Sequence, residues 1–134
     1  MLFKQLRGFT SLPIERIGRQ FLDQDVYAVL PAHLVARTTE ALLVATGSAL
    51  AIVVAAQAPG RRWKVHWAPL ESITLSDGTD PWTETIEDEY RLFVDVGRVR
   101  FESELAGDRG RQTLRDFVRA VWKQPARSMA APVA

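Results

Sequence analysis

The chain is expected to be mainly β, α+β by content: an open barrel of about seven antiparallel strands capped by one C-terminal helix. Three observations predict this. An amphipathic helix lies near the C-terminal end, short stretches of period-two alternation precede it, and turn residues separate those stretches at hairpin spacing. Few small folds place a single helix after a run of antiparallel strands, and this arrangement serves mainly for binding.

Leu114, Phe117, Val118, Val121 and Trp122 recur at i, i+3, i+4, i+7 and i+8 within about Gly110 to Gln124. At ~100° per residue they cover an arc of roughly 140°, wide enough to seal a core. Asp108 is placed as the N-cap, and Pro125 is expected to stop the helix. Residues 125–134, rich in Ala, Pro and Ser, are read as a disordered tail. Arg115, Arg119 and Lys123 form a basic stripe. It reads either as an anion site or as a solvated flank, and the balancing acids favour the flank.

Val26 to Leu30 reads as the first strand, closed by Pro31, with a loop over 31–40 that carries His33 and Arg37. Ala41–Thr46 and Leu50–Ala56 form a hairpin across Gly47-Ser48. The uncharged stretch 41–60 is 20 residues long, nominally enough to span a bilayer. Its bulk alternates with period two, however: Leu50, Ile52 and Val54 against Ala49, Ala51 and Ala55. That suits a strand between a filled core and a crowded surface, not a membrane helix.

Trp63, Val65 and Trp67 alternate with Arg62, Lys64 and His66, and Pro69 ends that strand. Ile73 and Leu75 carry the next. A long acidic loop follows over 76–89. Leu92, Val94 and Val96 then pair with Val99 and Phe101 around Gly97-Arg98, where glycine supplies the positive φ of the turn. The domain proper is assigned to residues 25–124.

Residues 1–24 are read as an N-terminal extension with helical spacing at Leu2, Phe3, Leu6 and Phe9, and again at Ile14, Ile17 and Phe21. Packing on the barrel, covering an edge strand, docking on a neighbour and lying at a membrane surface all remain open for it.

A chain of 134 residues is most simply one domain. The formal net charge of +1 gives no strong field to steer it onto nucleic acid. The absence of cysteine removes disulfides, thiolate metal sites and a cysteine nucleophile together. MLFKQLRGF lacks the uninterrupted apolar stretch of a signal peptide. A cytoplasmic protein is expected, or one peripheral to the inner face of the cell membrane.

No constellation points to catalysis. Asp77, Asp80, Glu84, Glu87, Asp88 and Glu89 lack the fixed oxygen spacing of a calcium loop. His33 and His66 lie on separate elements, and His66 is placed on the more polar strand face as a surface residue. Gly107-Asp108-Arg109-Gly110-Arg111 lacks the Gly-Lys-Ser/Thr ending of a phosphate loop and reads as a turn with a helix cap. No enzyme, cofactor, metal or small-molecule substrate is expected.

Five residues are candidates for contact with a partner: Trp82, Arg61, Arg62, Lys64 and Arg37. Trp82 follows Pro81 in a polar loop, where a tryptophan either anchors the loop or meets a partner. Arg61, Arg62 and Lys64 form the densest basic cluster, which reads as a solvated strand face, as a guard on an edge strand, or as a contact for a partner. Arg37 stands in the first strand-to-strand loop.

The segments ALLVATGSALAIVVA, WKVHWAPLESITL, RLFVDVGRVRFESEL and GRQTLRDFVRAVW, in that order, resemble the pleckstrin-homology (PH) superfold. More closely, the chain resembles bacterial PH-like domain proteins of actinobacterial type. The resemblance covers about residues 25–124. It implies a non-enzymatic barrel with its helix across one open end. Lipid-binding relatives use basic residues around the first strand-to-strand loop to hold phosphoinositide headgroups, where this chain offers only His33 and Arg37. Bacterial relatives are interaction or assembly modules, some self-associating through strand edges. The expected function is thus a binding or assembly module for a protein segment or for copies of itself, a homo-oligomer in the second case. The alternative is a peripheral membrane module that binds anionic lipid through Arg61, Arg62 and Lys64.

Overall fold

Alternation of bulk along the chain becomes seven antiparallel strands in the computed structural model. It describes residues 2–37, 39–56, 62–77 and 89–133, with backbone alone at 77, 89 and 122–133. The strands are β1 (Val26–Leu34), β2 (Glu40–Thr46), β3 (Ala49–Ala55), β4 (Trp63–Pro69), β5 (Ile73–Asp77), β6 (Glu89–Val96) and β7 (Val99–Ala106). A short helix, α1 (Ile14–Arg19), precedes them, and a long one, α2 (Gly107–Val133), follows. All seven belong to one sheet in the order β4-β3-β2-β1-β7-β6-β5.

The two edge strands, β4 and β5, are consecutive in the chain, joined only by the 3-10 turn Leu70–Ser72. Seven flat strands would hold those edges about 29 Å apart. The link from Pro69 to Ile73 can reach only about 14 Å. The sheet must therefore curl until its edges approach, yet β4 and β5 do not pair. The result is an unclosed barrel, pinned at one end of its seam.

Inside the curl, Leu30, Leu43, Leu50, Val94, Phe101 and Leu105 pack against Leu114, Phe117, Val118 and Val121 of α2. The helical face expected from the sequence is the buried one; Trp122 lies outside the described side chains. Gly110 explains how closely α2 leaves β7: a Cβ there would stand 2.7 Å from the Leu105 Cβ and 2.9 Å from its carbonyl carbon.

The outer side of the sheet is where residues 1–24 find their place. Leu42, Val44, Ala51 and Val53 point outward, and Phe3, Leu6, Ile17 and Phe21 cover them as a second core. The turn Leu2–Leu6 and α1 are thus a lid on β1–β4, and the small Ala51 lies beneath it. Ordering each residue of such a segment costs about 1–2 kcal/mol of backbone entropy. Burial of a full apolar side chain returns about 1.5–3 kcal/mol.

Polar contacts fasten the segment further. Arg109 donates to the carbonyls of Gln5 at 2.9 Å and Arg7 at 2.7 Å, and its guanidinium lies 4.8 Å from the Phe9 ring centre. Glu40 accepts from the Thr10 hydroxyl at 3.2 Å, the Ser11 amide at 3.0 Å and the Ser11 hydroxyl.

Three boundaries differ from expectation. β1 runs through Pro31 to Leu34, because its ladder with β7 begins only at His33 and the absent N–H breaks no pair there. The Pro31 carbonyl instead accepts from the buried Ser103 hydroxyl at 2.6 Å. The α2 backbone begins at Gly107 (φ +74°) and passes Pro125 to Val133. Asp108 consequently sits in the first turn, where a carboxylate suits the helix dipole. The helical backbone from Pro125 on lacks a donor at Pro125 and again at Pro132, in a stretch where Ala126, Ala130 and Ala131 favour helix. Gly97 has φ +62°, as the β6–β7 turn demands.

A candidate partner-binding groove

β4 presents two chemically different faces. Antiparallel partners share a face, and Lys64, His66 and Ala68 pair with Val54, Ile52 and Leu50, which line the inner core. Trp63, Val65 and Trp67 pair with Ala55, Val53 and Ala51 on the outer side. There the Trp63 indole N–H donates to Gln20 Oε1 at 2.9 Å, and the Trp67 ring lies 6.0 Å from that of Phe21. Lys64 and His66 therefore point inward, and they stay exposed because β4 is an edge.

The hydrogen-bond phase of β4 follows from one contact. The Ala56 amide donates to the Arg62 carbonyl at 2.8 Å, which makes Ala56–Arg62 a bonded pair. Alternation then gives Lys64, His66 and Ala68 their bonds to β3 and turns the N–H and C=O groups of Trp63, Val65 and Trp67 toward the open edge.

At the same end of the barrel, away from the pinned seam, lies an open groove of about 320 Å³. Leu34 ends β1 and supplies one wall; Val54, Ala55 and Ala56 supply the floor; Arg37, Thr39 and Lys64 stand around it. Two of the five residues singled out from sequence, Arg37 and Lys64, thus meet at one site although 27 positions apart in the numbering. Arg62 is exposed at the entry to β4 and is not part of the lining. Arg61 and Trp82 lie outside the described residues, as does most of the acidic 76–89 loop.

The histidines do not converge. His33 is on the outer side, its Nε2 3.2 Å from Glu102 Oε1, whereas His66 is on the inner side of β4. Among the described residues no three His, Asp or Glu side chains are grouped to hold a metal. No described helix is long and apolar enough to cross a membrane.

Sequence reasoning found the cations of the groove but missed its apolar walls. Leu34 falls in the stretch 31–40 that its sequence marks as a loop, and only the continuation of β1 past Pro31 makes it a wall. A second surface was also missed: Leu22 is 75% exposed and Trp67 51% exposed on the outer side, both beside Phe21. Compared with known families, curated proteins and solved structures, the chain gives no match.

Proposed function

We propose that this protein is a non-enzymatic binding module of PH-like type that receives an extended protein segment along the edge of β4 that no described strand pairs. The observation that carries this function is the edge itself. Trp63, Val65 and Trp67 direct backbone donors and acceptors away from β3, beside a groove with an apolar floor and two cations. An added strand gains affinity from main-chain hydrogen bonds and specificity from the adjacent groove. Support for the PH-like assignment comes from the order of seven antiparallel strands followed by a helix across the curl. The partner segment belongs either to another protein or to a second copy of the chain.

Val65→Pro tests the edge, because it deletes an outward N–H while sparing the bonds from β4 to β3. Loss of association in this variant should show in sedimentation velocity where the segment belongs to a second copy, and in capture of interacting proteins on the immobilised chain where it belongs to another protein. Association that persists in a folded Val65→Pro protein would remove β4 from the binding surface.

A second reading has one observation in its favour: Arg37 and Lys64 come together at an open rim, where an anionic lipid headgroup could also sit. Attachment of that kind would weaken with added salt. Equal binding to neutral and anionic vesicles would reject it.

A further inference from the structure

Building on the edge-binding function, we infer that the segment taken up by β4 ends in the groove with its own free C-terminal carboxylate, carried on an apolar last residue. The polarity of the sheet leads to this. β4 runs from Trp63, beside the groove, to Pro69 at the pinned seam. A strand added antiparallel to β4 runs the other way and finishes beside Trp63 and Lys64. A strand added in parallel would instead bring an N-terminal ammonium to Arg37 and Lys64, a like-charge encounter.

The groove fits the antiparallel choice in both of its chemistries. Lys64 extends inward from β4 and Arg37 stands on the turn after β1, so the anion lies between cations from two elements. Charge-assisted hydrogen bonds of this kind are about twice as strong as neutral ones. Below them, Leu34, Val54 and Ala55 give an apolar wall and floor. The volume of about 320 Å³ lies at the small end of ligand pockets, suited to a terminal side chain rather than a large headgroup. The last residue turns over the start of β4 into this space, while the residues before it pair with the outward groups of Val65 and Trp67.

The test uses the full chain and an array of N-acetylated peptides that vary the last two residues, each made with a free and with an amidated C-terminus. Affinities are read by fluorescence polarisation. Acid forms with an apolar last residue should bind about tenfold tighter than their amides. Lys64→Gln and Arg37→Gln should each bring acid and amide to within about twofold of one another. If acid and amide bind equally and Val65→Pro abolishes both, the carboxylate inference is overturned and the edge function stands. If no peptide binds, or if peptides bind Val65→Pro as well as the wild type, both fail. Displacement of acid-terminated peptides by anionic vesicles, with vesicle binding retained in Val65→Pro, would give the groove to a lipid and overturn the inference.

Discussion

The two halves of the sheet share one inner core but treat their outer faces oppositely. Over β1–β4 the outer face is mostly apolar and lies largely under residues 2–21, with Ile17 and Leu6 fully buried against Leu42, Val44 and Val53 while Trp67 on β4 stays half exposed. Over β6–β7 the outer face is a lattice of opposite charges and one aromatic. Arg91 pairs in register with Glu104, and Asp95 with Arg100. Phe93 lies between the guanidinium groups of Arg91 at 5.6 Å and Arg100 at 4.9 Å. A strand buried on both sides loses its alternation of polarity, whereas a strand buried on one side keeps it. β2 and β6 are the two cases within a single sheet.

The difference can be broken most severely at Ile17. Ile17→Asp would bury an unpaired carboxylate between α1 and the outer side of the sheet, at a cost above about 4 kcal/mol. Urea denaturation should show a large loss of stability or no folded protein. A loss under about 1 kcal/mol would mean that residues 2–21 are not required to cover β1–β4.

The boundary between the halves is sharpened at Glu40, which faces outward beside His33 and binds Thr10 and Ser11 of the covering segment. Partial burial pushes the Glu40 carboxyl up, but donors from Ser11 and Thr10 together outweigh it and hold the group below its ordinary value. Glu40→Gln should cost about 1–2 kcal/mol, a fall of roughly 3–8 °C in Tm. The sign with pH follows from the lowered folded value. The stabilisation is complete above the unfolded carboxyl pKa of about 4.3 and is lost as pH falls through the folded one. The gap in Tm between wild type and Glu40→Gln should therefore be widest at neutral pH and close in acid. A gap that stays constant with pH would show that the charge on Glu40 does not fasten the segment.

These two cases mark how much could be read from residues alone. The face Leu114, Phe117, Val118 and Val121 was legible because a helix against one core keeps its period, and the β6–β7 hairpin was legible because its outer side is polar. The cover over β1–β4 was not. In Ala41-Leu42-Leu43-Val44-Ala45 both faces are apolar, so periodicity does not say that a second layer exists or which segment supplies it. The size alternation in β3 was the available signal, since Ala51 leaves room on the covered side. At the groove, charge density picked out Lys64, and the first strand-to-strand loop picked out Arg37. Their union with Leu34 depended on a proline that ends no strand, because β7 is not paired with β1 at that position.

The smallest expected effect lies on the open half, at Arg100. Its Nε and Nη2 donate to the two carboxylate oxygens of Asp95 at 2.7 and 3.0 Å, and its guanidinium rests over Phe93. The Arg100 hydrogen bond chiefly, opposed by slight burial and aided by the Arg100 charge, holds the Asp95 carboxyl below its ordinary value. The Arg100 side chain is about half exposed, however, and an exposed pair contributes only about 0–1 kcal/mol. Arg100→Ala should therefore shift the urea midpoint only slightly, and 1 M salt should narrow the shift if the ion pair dominates over stacking on Phe93. A loss above about 2 kcal/mol would contradict the contrast between the halves, because only a desolvated pair is worth that much. The outer face of β6–β7 would then have to be covered in solution, by a second copy or another chain, as β1–β4 is covered by its own N-terminal segment.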